Sequence, residues 1–210
     1  MLLKKLYSFC LFQLLFNINL LAQQPRLVLP IGHTNWINEA HFSPDGKKIV
    51  TASSDNTAKI WDALSAQLIA DLNGHNDQVV SASFSPNGKK VVTASMDYTA
   101  KIWDAESGVI IADLTEHNNK VISASFSPDG KKVVTASHDN TAKIWDAASG
   151  VLIADLMGHT DYVLSACFSP DGKKVVTASG DNTAKIWDAA TGILIADLMG
   201  HTDYVLSACF

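Results

Sequence analysis

The chain has 210 residues, of which 47% are hydrophobic and 18% are charged, with a formal net charge of −5. This composition is that of a globular protein and excludes intrinsic disorder and a collagen-like fibre. Arg26 is the single arginine, and the lysines recur as evenly spaced, solvated pairs, which argues against a nucleic-acid-binding stripe.

Residues 1–22 have the pattern of a secretory signal peptide. Two lysines form a basic start, an apolar stretch follows, and Ala22 is a small residue suited to cleavage. The alternative is an uncleaved membrane anchor, but Gln13 and Asn17 interrupt the apolar run before it reaches the roughly 20 residues of a membrane helix. The pattern therefore predicts a secreted or periplasmic mature chain, 23–210, without membrane contact after cleavage.

From residue 33 onward the sequence repeats with a period of 42 residues and no insertion or deletion. The starts are His33, His75, His117, His159 and His201. The complete repeats are 33–74, 75–116, 117–158 and 159–200, and residues 201–210 begin a fifth. Such regularity indicates a tandem array of one small structural unit.

Each repeat has the pattern of four short strands joined by tight turns. In the fourth repeat, strand-like runs at 163–168, 173–179, 183–188 and 193–198 alternate with turns rich in Pro, Asp, Asn and Gly. Small sheets with apolar residues on both faces must stack on one another. The strict repeat therefore predicts an all-β fold, a β-propeller with four blades and the first strand of a fifth.

The repeats resemble the WD-repeat (WD40) β-propeller family. Gly-His occurs at 32–33, 74–75, 158–159 and 200–201, and Trp-Asp occurs at 61–62, 103–104, 145–146 and 187–188. The resemblance covers about residues 26–210 and implies one buried hydrogen-bonded tetrad in every blade. The tetrads would contain His33/Asp55/Trp61, His75/Asp97/Trp103, His117/Asp139/Trp145 and His159/Asp181/Trp187. Their hydroxyl comes either from Ser53, Ser95, Ser137 and Ser179 or from Thr51, Thr93, Thr135 and Thr177.

A Ser, a His and an Asp also invite a hydrolase interpretation. However, the trio recurs in every repeat, whereas an enzyme needs one site, and no Gly-x-Ser-x-Gly elbow accompanies it. The His residues have no second His or Cys at metal-ligand spacing, so neither a metal nor a cofactor is predicted. We interpret the tetrads as structural braces of a non-catalytic protein.

The few columns that vary between repeats are the candidate partner-binding positions. Three residues after the His lie Trp36, Gln78, Lys120, Tyr162 and Tyr204, and before the turn Asp lie Ser54, Met96, His138 and Gly180. In the WD40 family, positions of this kind cluster on the top face and commonly contact partners. Exposed aromatic residues suit a protein or peptide partner. The alternatives are a fragment of a larger enzyme or signalling protein and a structural or adhesive surface protein.

Two turn residues depart from the repeat. Ala66 replaces a Gly, and Tyr98 replaces an Asn at a position where a positive φ is expected, which predicts a strained or altered turn in the second repeat. Cys167 and Cys209 occupy equivalent positions of successive repeats, which seldom lie within disulfide distance, so both are predicted to be small buried residues. The alternative is an intermolecular disulfide or a bond to a partner cysteine that this sequence lacks.

The number of repeats is low for a closed ring, since propellers close with about four to eight blades and family members usually have seven. The segment 26–31 is the expected strand that completes the last blade. We expect an incomplete ring, either a truncated piece of a longer propeller or a half-ring that closes with a second chain. Unpaired blade faces would then favour self-association.

Overall fold

The computed structural model describes residues 32–210, so the predicted signal peptide at 1–22 and the predicted strand at 26–31 lie outside the described residues. Within this part the secondary structure is all β, with sixteen strands in four sheets. No helix in residues 32–210 is long and apolar enough to cross a membrane.

Each repeat folds as one antiparallel sheet whose four strands lie side by side in chain order. Blade 1 contains β1 (Ile37–Phe42), β2 (Lys48–Ser53), β3 (Thr57–Asp62) and β4 (Leu68–Asn73). Blade 2 contains β5 (Val79–Phe84), β6 (Lys90–Ser95), β7 (Ala100–Asp104) and β8 (Ile110–Leu114). Blade 3 contains β9 (Val121–Phe126), β10 (Lys132–Ser137), β11 (Thr141–Asp146) and β12 (Leu152–Met157). Blade 4 contains β13 (Val163–Phe168), β14 (Lys174–Ser179), β15 (Ala184–Asp188) and β16 (Leu194–Leu198). The four predicted blades are confirmed.

Turn chemistry explains why the strands end where they do. In the first hairpin the Gly46 amide donates to the Ser43 carbonyl at 2.8 Å, and the Ser43 hydroxyl donates to the Asp45 carboxylate at 2.6 Å. The second turn holds its Asn at positive φ, as at Asn56 (70°), and Tyr98 adopts 73° in the same place. Ala66 has a φ of 56°. The positive φ expected at Tyr98 is therefore present, and the structure adds a second non-glycine residue, Ala66, in the left-handed region.

The core lies between blades. Each sheet has a front face toward the next blade and a back face toward the previous one. Ile60 and Leu72 on the front face of blade 1 pack with Val91 and Trp103 on the back face of blade 2, and all four are buried. The same arrangement joins blade 2 to blade 3 and blade 3 to blade 4. One blade therefore completes the core of its neighbour.

Lysine side chains tie neighbouring blades together, which corrects the prediction that both lysines of each pair are solvated. The ammonium groups of Lys48, Lys90 and Lys132 donate to the carbonyls of Ala105, Ala147 and Ala189 in the next blade, at 3.4, 2.8 and 2.7 Å. The first lysine of each pair is exposed. Periodicity could not reveal these contacts because their acceptors are backbone atoms.

Residues 201–210 lie against blade 4 without forming a strand. The Val205 amide donates to the Ser179 carbonyl at 3.1 Å, and Val205 packs with Ala178 and Ala184. In blade 4 the first strand, β13, pairs with β14. Within residues 32–210 there is no strand with which the segment 201–210 could pair in the same way. The segment thus occupies the place of a first strand, but the predicted strand itself is not formed.

The two cysteines differ from the prediction that both are buried. Cys167 is half-buried, Cys209 is exposed, and both are free thiols. Burial and, to a smaller extent, the neighbouring Cys209 raise the pKa of the Cys167 thiol. Cys209 is exposed because it lies in the segment that forms no sheet.

Candidate functional site

Every blade contains the predicted tetrad as a continuous chain of hydrogen bonds. In blade 2 the Trp103 indole N–H donates to Thr93 Oγ1 at 2.8 Å, and Thr93 Oγ1 lies 2.7 Å from His75 Nε2. His75 Nδ1 lies 2.9 Å from Asp97 Oδ2. Thr93 Oγ1 accepts from the indole, and the imidazole bridges the threonine oxygen and the carboxylate. The loop before the first strand is thereby fixed to the turn after the second.

The structure decides between the two possible hydroxyls in favour of threonine. The Thr–His distance is 2.7 Å in all four blades. The residues that supply it are Thr51, Thr93, Thr135 and Thr177. The serines have another role, since Ser95 Oγ accepts the Asp97 amide at 3.1 Å and donates to the Asp77 carbonyl at 2.9 Å. Sequence alone could not separate the two because both side chains lie on the same strand.

The tetrad carboxylates are strongly held in the ionised form. Burial alone would raise the pKa of Asp97, but hydrogen bonds from His75, Thr99 and the Asn76 amide outweigh it. The pKa therefore lies well below its ordinary value, and Asp55, Asp139 and Asp181 behave alike. In blade 4, burial lowers the pKa of His159 in spite of Asp181, so this imidazole is neutral at pH 7.

The order hydroxyl, imidazole and carboxylate is also that of a hydrolase triad. Here, however, Thr93, Thr135 and Thr177 are 0% exposed, and each threonine oxygen accepts from the Trp and is hydrogen-bonded to the His. In these blades the threonine oxygen is therefore buried inside a hydrogen-bonded network that braces the blade. Across residues 32–210, no three His, Cys, Asp or Glu side chains are grouped as metal ligands.

The candidate partner-binding positions come together in one row, which we call the top rim. It comprises Trp36, Ser54, Gln78, Met96, Lys120, His138, Tyr162, Gly180 and Tyr204. Within each blade the two positions are joined by a backbone bond, for example from the Met96 amide to the Gln78 carbonyl at 2.9 Å. The other pairs are Ser54 with Trp36, His138 with Lys120, and Gly180 with Tyr162.

The top rim is connected between blades 1 and 2 and between blades 3 and 4. The Ser54 hydroxyl donates to Gln78 Oε1 at 3.2 Å, and the His138 ring stacks on the Tyr162 ring with centroids 4.3 Å apart. Three aromatic side chains of the rim are exposed: Trp36 is 81%, Tyr204 is 61% and Tyr162 is 47% exposed. The rim therefore presents aromatic side chains to solvent, and its chemistry changes from blade to blade.

Two features of the blades escaped the sequence reasoning. Lys101 is buried on β7 and forms an ion pair with Asp113 on β8 at 2.5 Å, and the pair recurs in all four blades. The recurring Lys and Asp columns were a visible signal for it. The second feature lies two residues after each tetrad His, where Asn and Asp alternate from blade to blade. What this alternation does depends on the direction in which the side chain points.

Comparison with known proteins agrees with this geometry. The family model "WD domain, G-beta repeat" matches four times, at residues 24–62, 66–104, 108–146 and 150–188. These matches together cover more than half of the chain.

Curated relatives are similar over short segments. The chain is 36% identical over 53 residues to Notchless protein homolog of Arabidopsis thaliana, a segment that is 25% of this chain and 11% of that protein. It is 46% identical over 39 residues to ribosome assembly protein 4 of Saccharomyces cerevisiae, covering 19% and 8%. It is 41% identical over 44 residues to Denticleless protein homolog A of Xenopus laevis, covering 21% and 6%. The matched segments span about a tenth or less of these relatives.

Proposed function

The chain belongs to the WD40-repeat family, and from this premise we propose that it is an exported, non-catalytic scaffold that binds a protein or peptide through its top rim. The observation that carries the proposal is that three rim positions carry exposed aromatic side chains, and that in every blade the two rim positions are joined by a backbone hydrogen bond. Aromatic residues presented by a rigid framework are the usual anchors of a protein interface. Neither nucleic acid nor a cofactor belongs to this proposal.

Rigidity of the rim supports this role. The tetrads fix the loops that carry Trp36 and Tyr162, and the His138 stack fixes the Tyr162 ring. A partner that binds such a surface loses little free energy to ordering it. The buried tetrads support the non-catalytic part of the proposal, since the alternative of an enzyme fragment would place its chemistry elsewhere.

The test compares two triple variants of the full chain against an immobilised peptide library. Trp36→Ala/Tyr162→Ala/Tyr204→Ala removes the rim aromatics. Val109→Ala/Val151→Ala/Ile193→Ala removes similarly exposed side chains that directly precede the outer strands β8, β12 and β16, and it serves as the matched control. We expect selected peptides to lose at least tenfold in affinity for the rim variant only. Equal binding by both variants would contradict the rim as the binding surface, and binding that only the control loses would favour an adhesive outer surface.

Export is proposed from residues 1–22 alone. N-terminal sequencing of the protein recovered outside the cytoplasm is expected to start at Gln23. Recovery of an intact N-terminus in the membrane fraction would instead indicate the uncleaved anchor. Retention of the full chain in the cytoplasm would refute export.

Self-association is a second candidate property, which the exposure of the blade 4 front face favours. Leu198 is 43% exposed, whereas its counterparts Leu72, Leu114 and Leu156 are 0% exposed under the next blade. The back face of blade 1 carries Ile49 and Trp61, which are both partly exposed. A second copy could therefore pack its blade 1 against this blade 4 in the manner of the internal interfaces.

The Cβ of Ala66 would crowd that contact, so a substitution at Ala66 tests it. At the internal interfaces Gly150 and Gly192 lie so close to Ala112 and Ala154 that an added Cβ would be 2.8 and 2.9 Å from the alanine Cβ. Blade 1 has Ala66 there, so Ala66→Gly should strengthen head-to-tail association and Leu198→Asp should abolish it. Light scattering after size exclusion measures both, with Met199→Asp as the exposed control. A monomer in every variant would refute self-association.

A further inference from the structure

The residue two positions after each tetrad His adopts one conformation in all repeats. Its Oδ1 accepts the backbone N–H of the following residue at 2.7 to 2.8 Å. The residues are Asn35, Asp77, Asn119, Asp161 and Asp203. Because Oδ1 is placed identically, the second branch of the side chain also points in one direction, toward the turn that precedes the tetrad Asp.

That second branch has a partner only where the residue is Asn. Asn35 Nδ2 donates to the Ser54 carbonyl at 3.3 Å, and Asn119 Nδ2 donates to the His138 carbonyl at 3.1 Å. In blades 2 and 4 the same branch is a carboxylate oxygen, which cannot donate. Asp77 and Asp161 therefore offer no donor to the carbonyls of Met96 and Gly180, and Asp161 Oδ2 lies 3.2 Å from the place of a Cβ on Gly180.

Within residues 32–210 the hydrogen bonds include none to the carbonyl of Met96 or Gly180, and neither Asp77 nor Asp161 has an ion-pair partner. His138 is near Asp161, but burial and then Lys120 lower the pKa of its imidazole, so it is neutral at pH 7. Within residues 32–210 the Asp161 carboxylate therefore has no ion-pair partner, and its second branch accepts no hydrogen bond.

We propose that the Asp161 carboxylate and the Gly180 carbonyl, together called the Asp161 corner, bind a basic side chain of the partner. A guanidinium presents several N–H donors in one plane and can bridge two neighbouring oxygens, and an ammonium can do so with less directional fit. This inference rests on the proposed top-rim function and names the chemistry that the partner must bring to blade 4.

Blade 4 is better suited to this than blade 2 because its turn residue is a glycine. A Cβ at Gly180 would lie 3.2 Å from Asp161 Oδ2, so any side chain there would crowd the carboxylate. In blade 2 the Met96 side chain stands at that position. Tyr162, next to Asp161, is 47% exposed and is held by its stack on His138, so it offers an apolar surface for the stem of a Lys or Arg.

The experiment titrates the ¹⁵N-labelled full chain with Ac-Ala-Ala-Arg-Ala-Ala-amide, its Lys analogue and its Gln analogue, followed by amide chemical shifts. We expect saturable shifts at Tyr162 and Gly180 with the Arg and Lys peptides, with tighter binding of Arg, and none with Gln. Asp161→Asn should weaken binding at least fivefold without loss of fold, because Asn at this position supplies its own donor in blades 1 and 3. Asp77→Asn is the matched control and should leave Tyr162 and Gly180 shifts unchanged.

Equal affinity of Asp161→Asn and the unchanged protein, equal shifts with the Gln peptide, or no shift at all would each overturn the Asp161 corner. The library peptides separate this failure from that of the proposed function. Peptides that need the rim aromatics but bind Asp161→Asn normally would leave the scaffold function standing and refute the corner alone. Peptides indifferent to the rim aromatics would refute the scaffold function itself.

Discussion

Leu156 on β12 and Leu198 on β16 occupy the same place in two successive repeats, and their neighbours in sequence are nearly identical. Leu156 is 0% exposed and Leu198 is 43% exposed. Leu156 lies under the back face of blade 4 with Trp187, whereas the segment around Val205 covers only the inner part of the blade 4 front face. The difference shows that a residue of this repeat becomes core through the next blade and not through its own.

The largest expected change in the free energy of unfolding comes from truncating these two leucines. Leu156→Ala should lower the free energy of unfolding by about 3 kcal/mol, because it creates a cavity between two blades. Leu198→Ala should lower it by less than about 1 kcal/mol, since the side chain is already partly in water. Urea denaturation followed by circular dichroism measures both. Equal losses would mean that Leu198 is buried in solution, for instance by a second copy.

The same difference between a covered and an uncovered blade applies to the tetrads of blades 3 and 1. Thr135→Val should cost about 2 kcal/mol, because the buried Trp145 indole and His117 imidazole both lose their partner. Thr51→Val should cost less, since Thr51 is 7% exposed and Trp61 is partly open to water. The same urea titration applies, with Thr135→Ser as the variant that keeps the hydroxyl. Stability of Thr135→Val equal to that of the unchanged protein would contradict the role of the hydroxyl.

Low pH is expected to destabilise blade 4 through its tetrad His. The folded pKa of His159 is lowered from 6.5, so below pH 6.5 the unfolded chain takes up a proton that the folded chain does not. Stability should be constant above pH 6.5 and fall below it. A second fall is expected below pH 3.8, where the tetrad carboxylates lose the stability that their depressed pKa values contribute.

Urea midpoints between pH 7.5 and 5 check the first fall. Burial also lowers the pKa of His138, so His138 contributes to the same loss of stability at low pH. The His138→Gln variant removes that contribution and serves as the control. Midpoints that stay constant across this range would show that His159 titrates normally in the folded chain.

The smallest effect concerns the second turn, where blade 2 differs from blade 3. Tyr98→Asn should raise the free energy of unfolding by about 1 kcal/mol, because Asn tolerates the positive φ better than Tyr. Asn140→Tyr should lower it by a similar amount in blade 3. Thermal unfolding of the two variants should move in opposite directions, and shifts of the same sign would attribute the effect to side-chain contacts of Tyr98.

Much of the fold and part of the candidate site could be predicted from the sequence. Each predicted strand of the fourth repeat begins within one residue of the observed strand and ends with it, as β14 (Lys174–Ser179) shows for the predicted 173–179. The tetrads were predicted except for the choice between Ser95 and Thr93, since strand periodicity allows either. The Asp161 corner could not be predicted, because it depends on where the second branch of the side chain points.

By itself the sequence determined the repeat, the strands, the turns and the identity of the tetrad residues, because each follows from local periodicity or local turn chemistry. Only the tertiary structure decided which hydroxyl joins the tetrad, which lysines tie blades together and which of several identical leucines is buried. These outcomes depend on atoms that face each other across blades or across strands. A repeat specifies its own sheet, while its surroundings decide which face of that sheet becomes core and which remains free for a partner.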